Sequence, residues 1–200
     1  MPTSLLSSLR FWSIITCSLA LGLAGCDGAP KFKSTDITGV DYGKNLELPD
    51  ASGRLRRLDD FRGKAVVVFF GFTHCPDICP TTLADIASAL KELGNDAERV
   101  QVVFITVDPE RDTPAELDRY VKAFDARFIA LRGDPAITQR VAKDFKIFYE
   151  KRKQGDTYTV DHSSQSYVID PQGRLRLLVR PDRLAKDLPA DLRTLLHEKT

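Results

Sequence analysis

Lys64-Ala65-Val66-Val67-Val68-Phe69-Phe70-Gly71-Phe72, followed at once by Thr73-His74-Cys75-Pro76-Asp77-Ile78-Cys79-Pro80, is the stretch on which the fold turns. The first part is an unbroken apolar run rich in Val and Phe, the pattern of a strand buried on both faces. The second part sets two cysteines with three residues between them, just ahead of an amphipathic segment. Leu83, Ile86, Ala87, Leu90 and Leu93 recur every three or four residues, so Thr81 to Leu93 is predicted to be a helix ending near Gly94. A close thiol pair at the carboxyl end of a strand suits disulfide exchange, soft-metal binding, or both.

Downstream the alternation continues. Val100 to Val107 reads as a second buried strand, and Thr113 to Phe124 as a helix with Thr113 at the N-cap, Pro114 at N1 and Glu116 at N3. Phe128 to Leu131 reads as a short strand and Pro135 to Phe145 as a helix. Ser166 to Ile169 and Leu175 to Val179 flank the turn Asp170-Pro171-Gln172-Gly173 and form a hairpin, and Asp187 opens a last helix. Upstream, Leu46 to Leu48 and Leu55 to Leu58 flank a turn at Asp50 to Gly53, a small N-terminal β-hairpin. The expected architecture is an α/β sandwich, with a mixed central sheet flanked by helices. Ligands in such sheets gather beyond the carboxyl ends of the parallel strands. Cys75 follows one such end and Asp108-Pro109-Glu110-Arg111-Asp112 follows the next.

The N-terminus carries an address. Arg10 precedes an uncharged apolar run from Phe11 to Ala24, shorter than the roughly 20 residues of a spanning helix. Leu23-Ala24-Gly25-Cys26 resembles a bacterial lipobox, so residues 1–25 are expected to be a lipoprotein signal peptide and Cys26 the lipidated residue; the alternative is an uncleaved anchor. Either places the domain on the periplasmic face of a bacterial inner membrane. Residues 26–44 are polar and aperiodic and are expected to be a flexible tether, with residues 45–200 as the folded domain. The 29 Lys and Arg nearly cancel the 28 Asp and Glu, so no basic stripe points to nucleic acid.

With Cys17 in the signal and Cys26 lipidated, Cys75 and Cys79 are the remaining thiols, in an oxidising compartment. Both precede proline, which disfavours the helical region. Cys79 is therefore predicted at the N-cap, with Pro80 at N1 and a tight loop from Cys75 to Cys79. The helix dipole would favour a Cys79 thiolate, and Asp77 would oppose it. Met1 is the only methionine, so further soft-metal donors must be histidines. Two thiolates and one imidazole suit copper in either oxidation state, whereas a structural zinc site usually takes four protein ligands. A plain stapling disulfide would close a very short loop and gain little.

His162 lies just before the Ser166 strand, whose start faces the cysteine loop in a thioredoxin-like sheet. Taken alone it reads as an exposed loop histidine. Asp161 could orient it through a hydrogen bond. His74 adjoins Cys75 but should point the other way. His197 suits the last helical turn, where a cation is favourable. Asp108 could contact a metal or a partner, whereas Asp112 reads as a helix-capping or solvated loop charge.

Gly71 to Pro80, Thr106 to Asp112, and Asp161-His162-Ser163 together resemble the Sco/SenC family, in the right order and from about Leu46 to the C-terminus. The resemblance implies a thioredoxin-like fold tethered to a membrane, and copper, Cu(I) or Cu(II), held by Cys75, Cys79 and His162. It implies a role in assembling the binuclear copper centre of cytochrome c oxidase subunit II, alongside other periplasmic copper carriers or thiol–disulfide proteins. A chaperone of this kind needs no enzymatic activity, which leaves thiol–disulfide oxidoreductase activity as the open question. The rival reading is a thiol–disulfide oxidoreductase, with Cys75 and Cys79 as its catalytic pair, that reduces the cysteines of that centre. A weaker third reading is a peroxidase of the peroxiredoxin kind, suggested by the Phe-rich approach to Cys75-Pro76.

Overall fold

Seven consecutive buried residues, Ala65–Gly71, sit at the middle of a six-stranded sheet. The computed structural model describes residues 30–198. The signal segment 1–25 and the lipidation position Cys26 lie outside them.

In chain order the elements are β1 (Thr35–Asp36), β2 (Glu47–Pro49), β3 (Leu55–Arg57), β4 (Ala65–Gly71), α1 (Ile78–Leu93), β5 (Val100–Thr106), α2 (Pro114–Lys122), β6 (Ile129–Leu131) and α3 (Pro135–Asp144). They continue with β7 (Tyr149–Gln154), β8 (Thr157–His162), β9 (Ser166–Ile169), β10 (Leu175–Val179) and α4 (Leu184–His197). The main sheet runs β1-β10-β9-β4-β5-β6. β4, β5 and β6 are parallel, while β9 joins β4 antiparallel, so the sheet is mixed as expected. β2–β3 and β7–β8 form two separate hairpins. Among the described residues, no helix is long and apolar enough to cross a membrane.

Alternation along β4 sends its rings to opposite faces. Phe69 meets Phe104 across the β4–β5 pair at 6.0 Å between centroids, while Phe70 meets Phe145, just past α3, at 5.4 Å. All four rings are fully buried. Each such burial contributes about 1.5–3 kcal/mol. α2 begins as its sequence demands: the Thr113 hydroxyl accepts from the Glu116 amide, and the Glu116 carboxylate accepts from the Thr113 amide. α3 is capped by Asp134, whose carboxylate accepts from the Ile137 amide at 2.7 Å.

Four expectations need correction. The tether is bound to the domain well before residue 44. Asp191, buried in α4, accepts from the amides of Lys33 and Ser34 at 2.6 and 2.9 Å, and β1 pairs with β10. Two buried-acceptor bonds and two strand residues give this polar segment a fixed path that its composition does not announce. α1 starts at Ile78, so Cys79 is inside the first turn despite preceding proline. The first four amides of a helix have no intrahelical partner, so the missing N–H of Pro80 costs nothing there. α4 starts at Leu184 and runs through Pro189, forgoing one backbone bond; Leu184, Leu188, Leu192 and Leu195, all buried, hold it instead. Finally, the β7–β8 hairpin is an element the sequence reading did not contain.

Candidate metal centre

The end of β4, the first turn of α1 and the end of β8 converge above the carboxyl ends of the parallel strands. Cys75, Cys79 and His162 come together there, each offering one donor atom within 4.8 Å of the others. Cys75 is half-buried, Cys79 is fully buried and His162 is half-buried. Both thiols are free.

Each donor is aimed by its surroundings. Cys79 points down into the domain because Gly71 leaves room for it: a Cβ on Gly71 would lie 2.8 Å from the Cys79 sulfur and 2.8 Å from the Phe104 ring. His162 ends β8 with its Nδ1 2.8 Å from the Ser163 carbonyl. A carbonyl only accepts, so Nδ1 carries a proton, and Nε2 is the ring nitrogen turned toward the two sulfurs. Nε2 lies 3.4 Å from the Cys79 sulfur. The edges of Phe69 and Phe72 hold the ring, with centroids at 6.3 and 5.8 Å.

The thiols titrate as a pair. The Cys79 thiol lends Cys75 a hydrogen bond; together with bonds from His162 and the backbone amides of Asp77 and Cys79, it lowers the Cys75 thiol to about 4. Cys79 is pushed up, first by that shared hydrogen bond and then by burial. This reverses the expectation from the helix dipole. The residue inside the helix turn keeps its proton, because its burial and its neighbour's negative charge outweigh the dipole.

The acidic residues fall differently from their sequence reading. Asp161 does not orient His162. It is exposed and accepts from Arg152 at 3.0 Å, because successive β8 residues face opposite ways. Asp77 is the exposed N-cap of α1 and offers no side-chain cap bond. Asp108 is fully buried but faces away from the thiols, accepting from the Tyr158 hydroxyl at 2.8 Å and from the Arg111 Nε. Asp112 is not a solvated charge. It is fully buried and accepts from the Thr73 amide at 3.1 Å and from the hydroxyls of Thr73 and Thr106 at 2.6 Å each. It ties the segment leading to Cys75 to the end of β5. Its only signal in the sequence is the pair of threonines placed to meet it.

His74 bonds the Thr73 hydroxyl at 3.0 Å and stands apart from the three-donor cluster. His197 is exposed in the last turn of α4 and lies 3.1 Å from Asp96.

The sequence matches the SCO1/SenC family over residues 35–197. It is 39% identical over 152 residues to an SCO2-like protein of Rickettsia prowazekii, covering 74% of each chain. Its fold superposes on ScoI of Bradyrhizobium japonicum with copper bound, with a TM-score of 0.71 and 37% identity, covering 78% of this chain and 99% of that one. It superposes likewise on apo Sco1 of Thermus thermophilus, with a TM-score of 0.74 and 40% identity, covering 84% and 99%.

Proposed function

The chain belongs to the SCO1/SenC family, and from that premise we propose that it is a copper chaperone, with Cys75, Cys79 and His162 holding copper as cargo for cytochrome c oxidase assembly. The observation that carries this reading is the convergence of two thiols and one imidazole on a single point. Two soft sulfurs and a neutral imidazole match copper in both oxidation states. Related ScoI proteins are known with copper bound, and a solved Sco protein is described as a member of a family of cytochrome c oxidase assembly proteins.

The residues also suit release. Cys75 is half-exposed and already thiolate at neutral pH, so it is the sulfur an incoming donor reaches first. Cys79 is buried and is the last to let go. An acceptor with thiols of its own, such as oxidase subunit II, would displace the site's donors in that order. Lipidation at Cys26 would keep the domain at the periplasmic face of the inner membrane. Palmitate labelling lost in Cys26→Ser tests that placement.

The second reading, a thiol–disulfide oxidoreductase acting on the subunit II cysteines, is favoured by the same low-pKa Cys75 beside a free Cys79. His162→Ala separates the two. A chaperone loses Cu(I) affinity against a competing chelator and loses delivery, while disulfide exchange persists. Undiminished Cu(I) affinity in Cys75→Ser and Cys79→Ser would remove the copper reading altogether.

A further inference from the structure

The β7–β8 hairpin carries His162 at its end, yet it pairs with no strand of the main sheet. Besides the buried Val160, one side-chain cluster on the loop after β5 fastens it. The Tyr158 hydroxyl of β8 donates to Asp108 at 2.8 Å. The Arg111 guanidinium lies over the Tyr158 ring, 3.8 Å from its centroid, and its Nη1 donates to the Tyr158 carbonyl at 2.8 Å. Its Nε donates to Asp108. Asp108 is fully buried and is itself fixed by its amide, which donates to the Thr106 hydroxyl at 2.9 Å. Lys151 of β7 adds an exposed pair with Glu110 at 2.6 Å. Arg111 also sits 5.9 Å from the centroid of Phe72, whose other neighbour is the His162 ring.

From this arrangement we infer that Asp108, Arg111 and Tyr158 form a latch that positions His162 over the two thiols, and that opening the latch is the step that frees His162 during copper release. The inference rests on the copper reading above and deepens it. The three are positioning residues: none offers a donor to the three-atom site. The latch joins β8 to the buried Asp108 four residues before His162, on the far side of the buried Val160, so it fixes the strand that carries the ring. Four residues of strand, about 13 Å, separate Tyr158 from the ring, so releasing Tyr158 loosens the segment that carries His162. No electrons move in this step. The copper–imidazole bond breaks, a bond to the receiving protein's donor forms, and the Nδ1 proton stays in place.

The test uses Tyr158→Phe, which keeps the ring under Arg111 and removes only the hydroxyl bond, and Arg111→Lys, which keeps the charge but loses the stacked fork. Arg152→Ala is the control. It breaks exposed pairs with Glu150 and Asp161 on the same hairpin without touching the latch. In the metal-free protein, both latch variants are expected to weaken the NOEs from the His162 ring to Phe69 and Phe72, and Arg152→Ala to leave them unchanged. In the Cu(II)-loaded protein, transfer to a competing chelator is expected to speed up by about 10–100-fold in the latch variants, the usual effect of removing groups that orient a metal-binding side chain. Undiminished NOEs, or weakened NOEs with unchanged transfer, would overturn the inference. If the wild-type protein takes up no copper, the copper reading and the release step fall together, while the NOEs still decide whether the latch positions His162.

Discussion

At the scale of single residues, the site depends on one absent side chain and one shared proton. Gly71→Ala places a methyl 2.8 Å from both the Cys79 sulfur and the Phe104 ring, and neither has room to withdraw. The expected result is a stability loss of about 1–3 kcal/mol in denaturant melts, together with weaker metal uptake, since the sulfur must shift. A variant that melts and binds like the wild type would show that the site tolerates displacement. The shared proton gives a pH signature. Cys75 is lowered from the usual 9.0 to about 4, so its alkylation by iodoacetamide should be level above about pH 6 and fall by half near pH 4. Cys79→Ala removes the main hydrogen bond and should move that midpoint up toward the ordinary thiol range. The sign for stability follows. A depressed pKa means the folded, reduced protein holds fewer protons than the unfolded chain between about 4 and 9, so its stability rises with pH across that window and is lost as pH falls through 4.

At the scale of elements, the strands and helices that build the parallel half of the sheet were legible because their patterns are strong. β4 is a continuous apolar run, and α2 carries a complete capping box. Thr113→Ala should cost about 1 kcal/mol in thermal or denaturant unfolding, the usual loss for a cap. A change below a few tenths would mean that tertiary packing alone starts that helix. The β7–β8 hairpin was illegible for an equally physical reason. Glu150 to Gln154 are all exposed, so β7 has no buried alternation to read, and its partner β8 buries only Val160 fully. With Val160, the Asp108–Arg111–Tyr158 cluster fastens the hairpin, and it joins Tyr158 to residues about 50 positions earlier in sequence. The start of α1 is hard to read because the steric bias of a residue before proline is only a preference, and Cys79 takes the helical conformation despite it. Asp112 was misread because loop carboxylates are usually solvated, and only the fold brings Thr73 and Thr106 around it.

At the scale of the whole molecule, the domain begins earlier than composition suggests. The segment from Lys33 through β1 closes the outer edge of the sheet, fastened by Asp191 of α4. Asp191→Ala leaves two amides without their acceptor and should destabilise by about 1–3 kcal/mol, with hydrogen exchange rising at Lys33 and Ser34. Slow exchange at those amides in the variant would mean the edge strand holds itself. The chemistry lies beyond the carboxyl end of the central strand β4. A rigid parallel core presents Cys75 and Cys79, and a separately attached hairpin presents His162. On the copper reading proposed above, that division would let one donor move while two stay fixed.

The most direct measurement is absorption spectroscopy of the purified protein with one equivalent of Cu(II). The account predicts an intense sulfur-to-copper charge-transfer band, abolished by Cys75→Ser or Cys79→Ser and lost or strongly shifted by His162→Ala. A wild-type spectrum without that band, or one indifferent to all three substitutions, would contradict it.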